Sequence, residues 1–267
     1  MRRRRMQPTP DRAGARQDFP RPQRASYVHL DIGSFSDPHG ADYGIDLEKH
    51  PTFPSSTRFL QCNLGFQRLP FPDESIDFVS ALDVLEHIPK ALWFPSDSLN
   101  DVDYEIFSSS AATHIRGMTI ARPVVFLFNE LYRVMRRNGV FLSVTPAYDA
   151  NRQVPIAVHQ DPTHVSVWCP ASFTQYFCPP NLEVPDAFGQ QLRYGIRTAF
   201  RALPVESRCP YPLPTVWRSE WYFAGFERVY DGSHLTMILE KPDYHGRDVQ
   251  FFESAQSQLS LVRSQLA

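Results

Sequence analysis

The sequence predicts an α/β domain, doubly wound around a mostly parallel sheet, and three observations predict it. Short apolar runs bounded by Gly, Pro, Asp and Asn recur along the chain in the manner of strands. A long amphipathic segment, "VVFLFNELYRVMRRNG", separates two of them, and such alternation favours parallel pairing with helices on the sheet faces. With 267 residues, 42% of them hydrophobic, the chain can bury one sizeable core.

The first strand is "YVHLDI" and the second "DYGIDL". Each ends near a carboxylate, and a loop of Gly, Ser, Pro and Asp joins them. The interval from Gly33 to Ile45 is close to the minimum of about 10–12 residues for a whole parallel crossover, so no full helix is expected there. "TRFLQCNL" reads as the third strand. "SIDFVSALDVLEHI" begins as a buried strand, from Ile76 to Ala81, and runs into a turn or short helix. Residues 90–122 break the rhythm and read as an insertion over the carboxyl edge of the sheet. In the helix that follows, Phe128, Leu131, Tyr132 and Met135 share a face, and Asn138-Gly139 is expected to cap the end. "VFLSVTP" is the next strand. A second irregular excursion, residues 179–215, precedes "WYFAGFERVYDGSHLTMILEKP", which reads as two antiparallel strands joined at Asp231-Gly232. The expected organisation is a floppy Arg- and Pro-rich head over 1–25, one domain over 26–246, and a tail or terminal helix over 247–267.

Composition narrows the function classes. A formal charge of −2 gives no reason to expect a nucleic-acid partner. Cys62, Cys169, Cys178 and Cys209 are irregularly spaced and read as reduced thiols of a cytoplasmic protein. No apolar run approaches the ~20 residues of a membrane span, and no apolar stretch follows "MRRRRM". No G-x-S-x-G elbow is present to support a hydrolase. His159, Asp161 and His164 invite a metal reading, but Pro162 stiffens the span and no further ligand is evident, so no metal is expected. Oligomeric state is not legible.

In an open parallel sheet, ligands bind beyond the carboxyl ends of the strands. Asp31 and Gly33, Asp46, Asn63 and Leu64, and Asp83, Glu86 and His87 all fall there. Asp46, at the tip of the second strand, suits the two hydroxyls of a ribose, and Asn63 suits the edge of an adenine. A dinucleotide also requires a helix N-terminus for its pyrophosphate, which the short loop does not supply. S-adenosylmethionine carries the same ribose and adenine with no phosphate, and its ammonium and sulfonium suit a loop beside Asp31.

From about Tyr27 to Tyr176 the chain resembles the class I S-adenosylmethionine-dependent methyltransferases, in a short-loop form like methyltransferase type 11. The resemblance rests on "LDIGSFSDPHGADYGIDLE", "LPFPDESIDFVSALDVLEHIP" and "FNELYRVMRRNGVFLSVTP", in that order. It implies a Rossmann-like sheet of seven strands with the last antiparallel, and S-adenosyl-L-methionine as cofactor. It also implies Asp31 and Gly33 near the methionine part, Asp46 on the ribose, Asn63 and Leu64 by the adenine, Asp83 in the same cofactor set, and His87 near the methyl group. "HQDPTHVSVWCPASFTQYF" is similar to a segment of members that act on glycans or cell-envelope compounds, which suggests a small-molecule or carbohydrate-like acceptor. The chain departs from the pattern at Phe35, where a glycine is usual, at Asn63, where an acid is common, and at Arg136-Arg137-Asn138-Gly139.

Methylation of an oxygen requires a base, and histidine suits that task near neutral pH. His164, oriented by Asp161, is the preferred catalytic residue, with His87 the second candidate. The competing expectation is a non-catalytic scaffold in which Phe35 fills the cofactor crevice.

Overall fold

The computed structural model describes residues 27–99, 104–146, 161–178, 194–203 and 234–243. They form a seven-stranded sheet and a smaller three-stranded one. The first four strands of the large sheet are β1 (His29–Ile32), β2 (Tyr43–Asp46), β3 (Arg58–Gln61) and β4 (Ile76–Leu82). The small sheet is antiparallel and comprises β5 (Leu92–Pro95), β6 (Ala112–Ile115) and β7 (Met118–Ala121), with β7 central. Helix α1 (Pro123–Val134), strand β8 (Met135–Pro146), helix α2 (Pro170–Thr174), β9 (Arg201–Leu203) and β10 (His234–Glu240) follow.

The order across the large sheet is β3-β2-β1-β4-β8-β10-β9. β3, β2, β1, β4 and β8 run parallel, whereas β10 is antiparallel to both β8 and β9. The expected terminal antiparallel strand is thus present and fits between β8 and β9. The turn expected at Asp231-Gly232 lies outside the described residues, as do the head and tail.

Side-chain alternation assigns each face. Leu30, Ile32, Val79, Ala81, Phe141 and Met237 join one large core with α1, whereas Phe78, Val140, Leu142 and Ile238 form a smaller cluster. Both described helices belong to the large core, through Phe128 and Leu131 of α1 and Phe173 of α2. Here the structure departs from an even distribution of helices. Residues 33–42, 47–57 and 62–75 connect parallel strands with turns and bends and contain no helix.

The helix preceding β8 ends earlier than the pattern suggests. Met135 is already extended, and Asn138-Gly139 is part of β8, not a helix cap. The N–H groups of Glu74 and Ser75 donate to the carbonyls of Arg133 and Val134, so the chain before β4 satisfies the helix terminus. Met135 pairs with Ile76 and Val140 with Phe78, which makes Arg136–Gly139 a bulge with Asn138 in the left-handed region at φ 60°. Arg136 on Asp77, and Arg137 on Glu74 and Asp243, hold that bulge extended.

Below α1 sits a charged hub. Arg133 donates to the Leu69 and Phe71 carbonyls, to both oxygens of Glu130 and to Asp73. Above α1, Phe128 stacks on Phe177 with centroids 3.9 Å apart, and Trp168, Phe173 and Phe200 surround the pair. Residues 194–200 also dock here, because the Gly195 carbonyl accepts from Asn129 Nδ2 and Ser110 Oγ. A Cβ at Gly195 would lie 1.8 Å from the Ser110 carbonyl oxygen, so only glycine permits this approach.

Candidate functional site

The strand order reverses between β1 and β4, which opens a crevice at their carboxyl ends. Gly33 turns out of β1 at φ 67°, and its N–H and that of Ser34 both donate to the Ile45 carbonyl. A Cβ on Gly33 would come 2.3 Å from Val84 Cγ2, so the loops after β1 and β4 touch at this point. Asp83 follows β4, exposed and left-handed at φ 47°, with its N–H on the Val144 carbonyl.

Asp31 ends up deeper than expected. It is 1% exposed and accepts a short hydrogen bond from Ser80 Oγ, which also lies 2.8 Å from His29 Nε2. Burial pushes the Asp31 carboxyl well above the usual carboxylate range; the Ser80 hydroxyl acts against this, and the charges of Asp37 and Asp46 add to the rise. Asp31, Asp37 and Asp46 are therefore within electrostatic reach of one another. His39 lies beside them, 3.6 Å from Asp37, with burial pushing its imidazole down against the opposing pull of Asp37 and Asp83.

Asp46 stands half-buried at the tip of β2. Its Oδ2 accepts from the Phe35 N–H at 2.9 Å and its Oδ1 from the Leu47 N–H at 2.6 Å. Each carboxylate oxygen retains a further lone pair for another donor. Phe35 is 64% exposed and packs on His50 with centroids 4.4 Å apart, so its ring turns outward. The ring is thus not buried in the crevice, where the scaffold expectation placed it. Asn63 opens the turn after β3: its carbonyl accepts from the Phe66 and Gln67 N–H groups, and its Nδ2 is 3.5 Å from Tyr104 Oη. Leu64 is half-buried against the main core.

The histidines assemble on the other side of the crevice. A 3-10 turn, Leu85–His87, follows β4, and the segment 163–168 lies along it. The Val165 and Ser166 N–H groups donate to the Glu86 carbonyl, Trp168 Nε1 donates to the Leu85 carbonyl, and Lys90 Nζ reaches the Val167 carbonyl. The His87 and His164 rings meet edge to face, 4.9 Å apart. His164 Nε2 is 3.8 Å from Asp161 Oδ2 and 3.9 Å from Glu86 Oε1. Asp161 is exposed, and hydrogen bonds from the Thr163 side chain and backbone hold its carboxyl below the usual range. Glu86 is fully buried, and its Oε2 accepts from Thr145 Oγ1 at 2.8 Å.

The residues singled out in the sequence thus fall into two groups: Asp31, Gly33, Asp46 and Asp83 around the glycine turn, and His87, Asp161 and His164 beyond β4 and β8. Asn63 and Leu64 lie at the β3 end, with Asn63 beside Tyr104, which precedes the 3-10 turn Glu105–Ser108. Sequence reasoning placed Glu86 after the fourth strand but did not anticipate that it is a buried acid beside both His87 and His164. It also missed the His29–Ser80–Asp31 chain, which period-2 alternation in "VHLDI" places on one face. His159 lies outside the described residues. Trp168 is 1% exposed and belongs to the core.

The decisive observation is the strand order, with one antiparallel strand inserted beside β8. The sheet is Rossmann-like, seven-stranded and mostly parallel with one antiparallel strand, as the resemblance to class I methyltransferases implies. No protein-family model matches the chain, and no curated protein matches it. Among solved structures it is similar to the methyltransferase in complex with the Haloferax volcanii Trm112 activator (14% identity, 81% of this chain and 83% of that one, TM-score 0.41). It is also similar to YcgJ from Bacillus subtilis (14% identity, 83% and 94% coverage, TM-score 0.42). A third is human N-acetylserotonin methyltransferase in complex with S-adenosylmethionine (10% identity, 81% and 48% coverage, TM-score 0.41). No helix among the described residues is long and apolar enough to cross a membrane.

Proposed function

We propose that the protein transfers a methyl group from S-adenosyl-L-methionine to an oxygen of a small-molecule or glycan-like acceptor. The observation that carries this reading is the helix-free connection between β1 and β2, flanked by the carboxyls of Asp31, Asp37 and Asp46. A phosphate there would face anions and no helix dipole. A cationic nucleoside suits these carboxyls: its ammonium and sulfonium meet Asp31 and the glycine turn, and its ribose hydroxyls meet Asp46. Leu64 and Asn63 then flank the adenine, and Asp83 closes the crevice from the β4 side.

Methyl transfer is an in-line displacement. The acceptor oxygen forms a bond to the methyl carbon as the carbon–sulfur bond breaks, leaving S-adenosylhomocysteine, and the acceptor proton passes to a base. Alignment of oxygen, carbon and sulfur accounts for up to ~7–11 kcal/mol of the barrier in such reactions. His164 is assigned as base, with Asp161 and Glu86 within 4 Å of its Nε2 and His87 completing the wall. The acceptor itself is assigned to the side of the site that carries His87 and His164, where Val165 is exposed.

Titration with S-adenosylhomocysteine tests the reading directly. A 1:1 heat is expected, and Asp46→Ala should lose at least tenfold in affinity, since charge-assisted bonds contribute ~1.5–3 kcal/mol each. Absence of heat with the unmodified protein would sink the proposal.

A further inference from the structure

Glu86, His87 and His164 each place one donor atom so that all three lie within 4.8 Å of one another. We propose that this cluster binds a divalent first-row transition-metal ion, of which zinc is the representative. The inference deepens the methyltransferase reading, because the ion would stand where the acceptor oxygen must lose its proton.

The hydrogen bonds around the cluster fix the donors. Thr163 Oγ1 lies 2.6 Å from Asp161 Oδ1 and gives its single proton to that carboxylate. Toward His87 Nδ1, 3.1 Å away, the same hydroxyl can therefore only accept, and so can the Thr163 carbonyl at 3.3 Å. The His87 Nδ1 consequently carries the hydrogen, and Nε2 keeps a lone pair. A carboxylate–hydroxyl–imidazole chain of this kind is the outer support that metal-bound histidines use to fix their tautomer. Glu86 is supported likewise: Thr145 Oγ1 holds Oε2, while Oε1 turns toward His164 Nε2. The backbone is fixed too, with the Glu86 carbonyl bound by the N–H groups of Val165 and Ser166.

The spacing suits an ion better than a direct contact. At 3.9 Å, His164 Nε2 and Glu86 Oε1 are beyond hydrogen-bond distance. Two ligands about 2.0–2.1 Å from a tetrahedral zinc stand roughly 3.4 Å apart, so this pair closes by about half an ångström, and the widest of the three, within 4.8 Å, by up to about 1.4 Å. Two imidazoles and one carboxylate favour zinc, cobalt, iron or nickel over magnesium or calcium. Three protein donors also leave a position open for a hydroxyl or water, whose pKa the ion lowers. A bound ion occupies the lone pair of His164, so base and ligand are alternative roles for that ring.

The test uses the full chain, stripped with EDTA and titrated with Co²⁺. One equivalent should produce the visible absorption of a low-symmetry site, and Zn²⁺ but not Mg²⁺ should abolish it. His87→Ala, at an exposed position that does not endanger the fold, should weaken Co²⁺ binding at least tenfold, and Glu86→Gln should remove the band. No band in the unmodified protein, or an unchanged band in the His87→Ala and Glu86→Gln variants, overturns the proposal. S-adenosylhomocysteine titrated in EDTA separates the two readings: retained heat without a cobalt site refutes only the metal. A cobalt site without that heat refutes only the methyl donor.

Discussion

At the scale of the residue, Asp31 sets stability against function. Its carboxyl is raised by burial, so the folded chain favours the protonated form more than the unfolded chain does. The sign is that of any raised pKa: the associated stability is fully present below the ordinary aspartate value of about 3.9 and declines as pH climbs through the folded value. Asp31→Asn should therefore melt higher than the unmodified protein at pH 7–8, with the difference vanishing near pH 4; a constant difference across that range would contradict the burial argument. The same variant should bind S-adenosylhomocysteine more weakly. Gly33→Ala combines a left-handed backbone at φ 67° with a clash on Val84. It should cost about 1–3 kcal/mol of stability and displace the β1–β2 loop, as read by denaturant unfolding and cofactor titration.

At the scale of the element, the joint between α1 and β8 depends on Arg133. Arg133→Ala strips the buried Glu130 of its bidentate partner and leaves the Leu69 and Phe71 carbonyls short of a donor. A loss of about 3 kcal/mol is expected in urea unfolding, and Arg133→Lys should recover only part, since an ammonium cannot serve a fork of acceptors. This joint also shows where sequence patterns stop. Apolar period and strand length revealed β1, β2, β4 and the body of α1, because each depends on its own side chains. The end of α1 was not legible, since Glu74 and Ser75, distant in sequence, supply the N–H groups that close it. Nor was the alignment of 163–168 with the Leu85–His87 turn, which joins Glu86 to His164 across 78 positions that no local signal spans. The candidate residues at strand tips were legible for a simpler reason: parallel topology alone carries them to one edge. Whether the ring of Phe35 turned in or out depended on His50, which no local pattern anticipates.

At the scale of the molecule, cofactor binding should act on the whole sheet, because the crevice sits at the reversal in strand order. S-adenosylhomocysteine at a hundredfold excess over its Kd should stabilise the fold by about 2.7 kcal/mol. A chain of this size should then melt roughly 5–10 °C higher, and no shift would argue against a site at the β1/β4 junction. The pairing of β10 has a further consequence. All seven positions from His234 to Glu240 are matched along β8, and β9 reaches the sheet only through β10. During synthesis β8 is complete long before residue 234 leaves the ribosome, so its outer backbone groups face water or other nascent chains in the interval. Chains cut before His234 should accumulate as insoluble material, and supplying the missing β10 segment in trans should return part of it to solution.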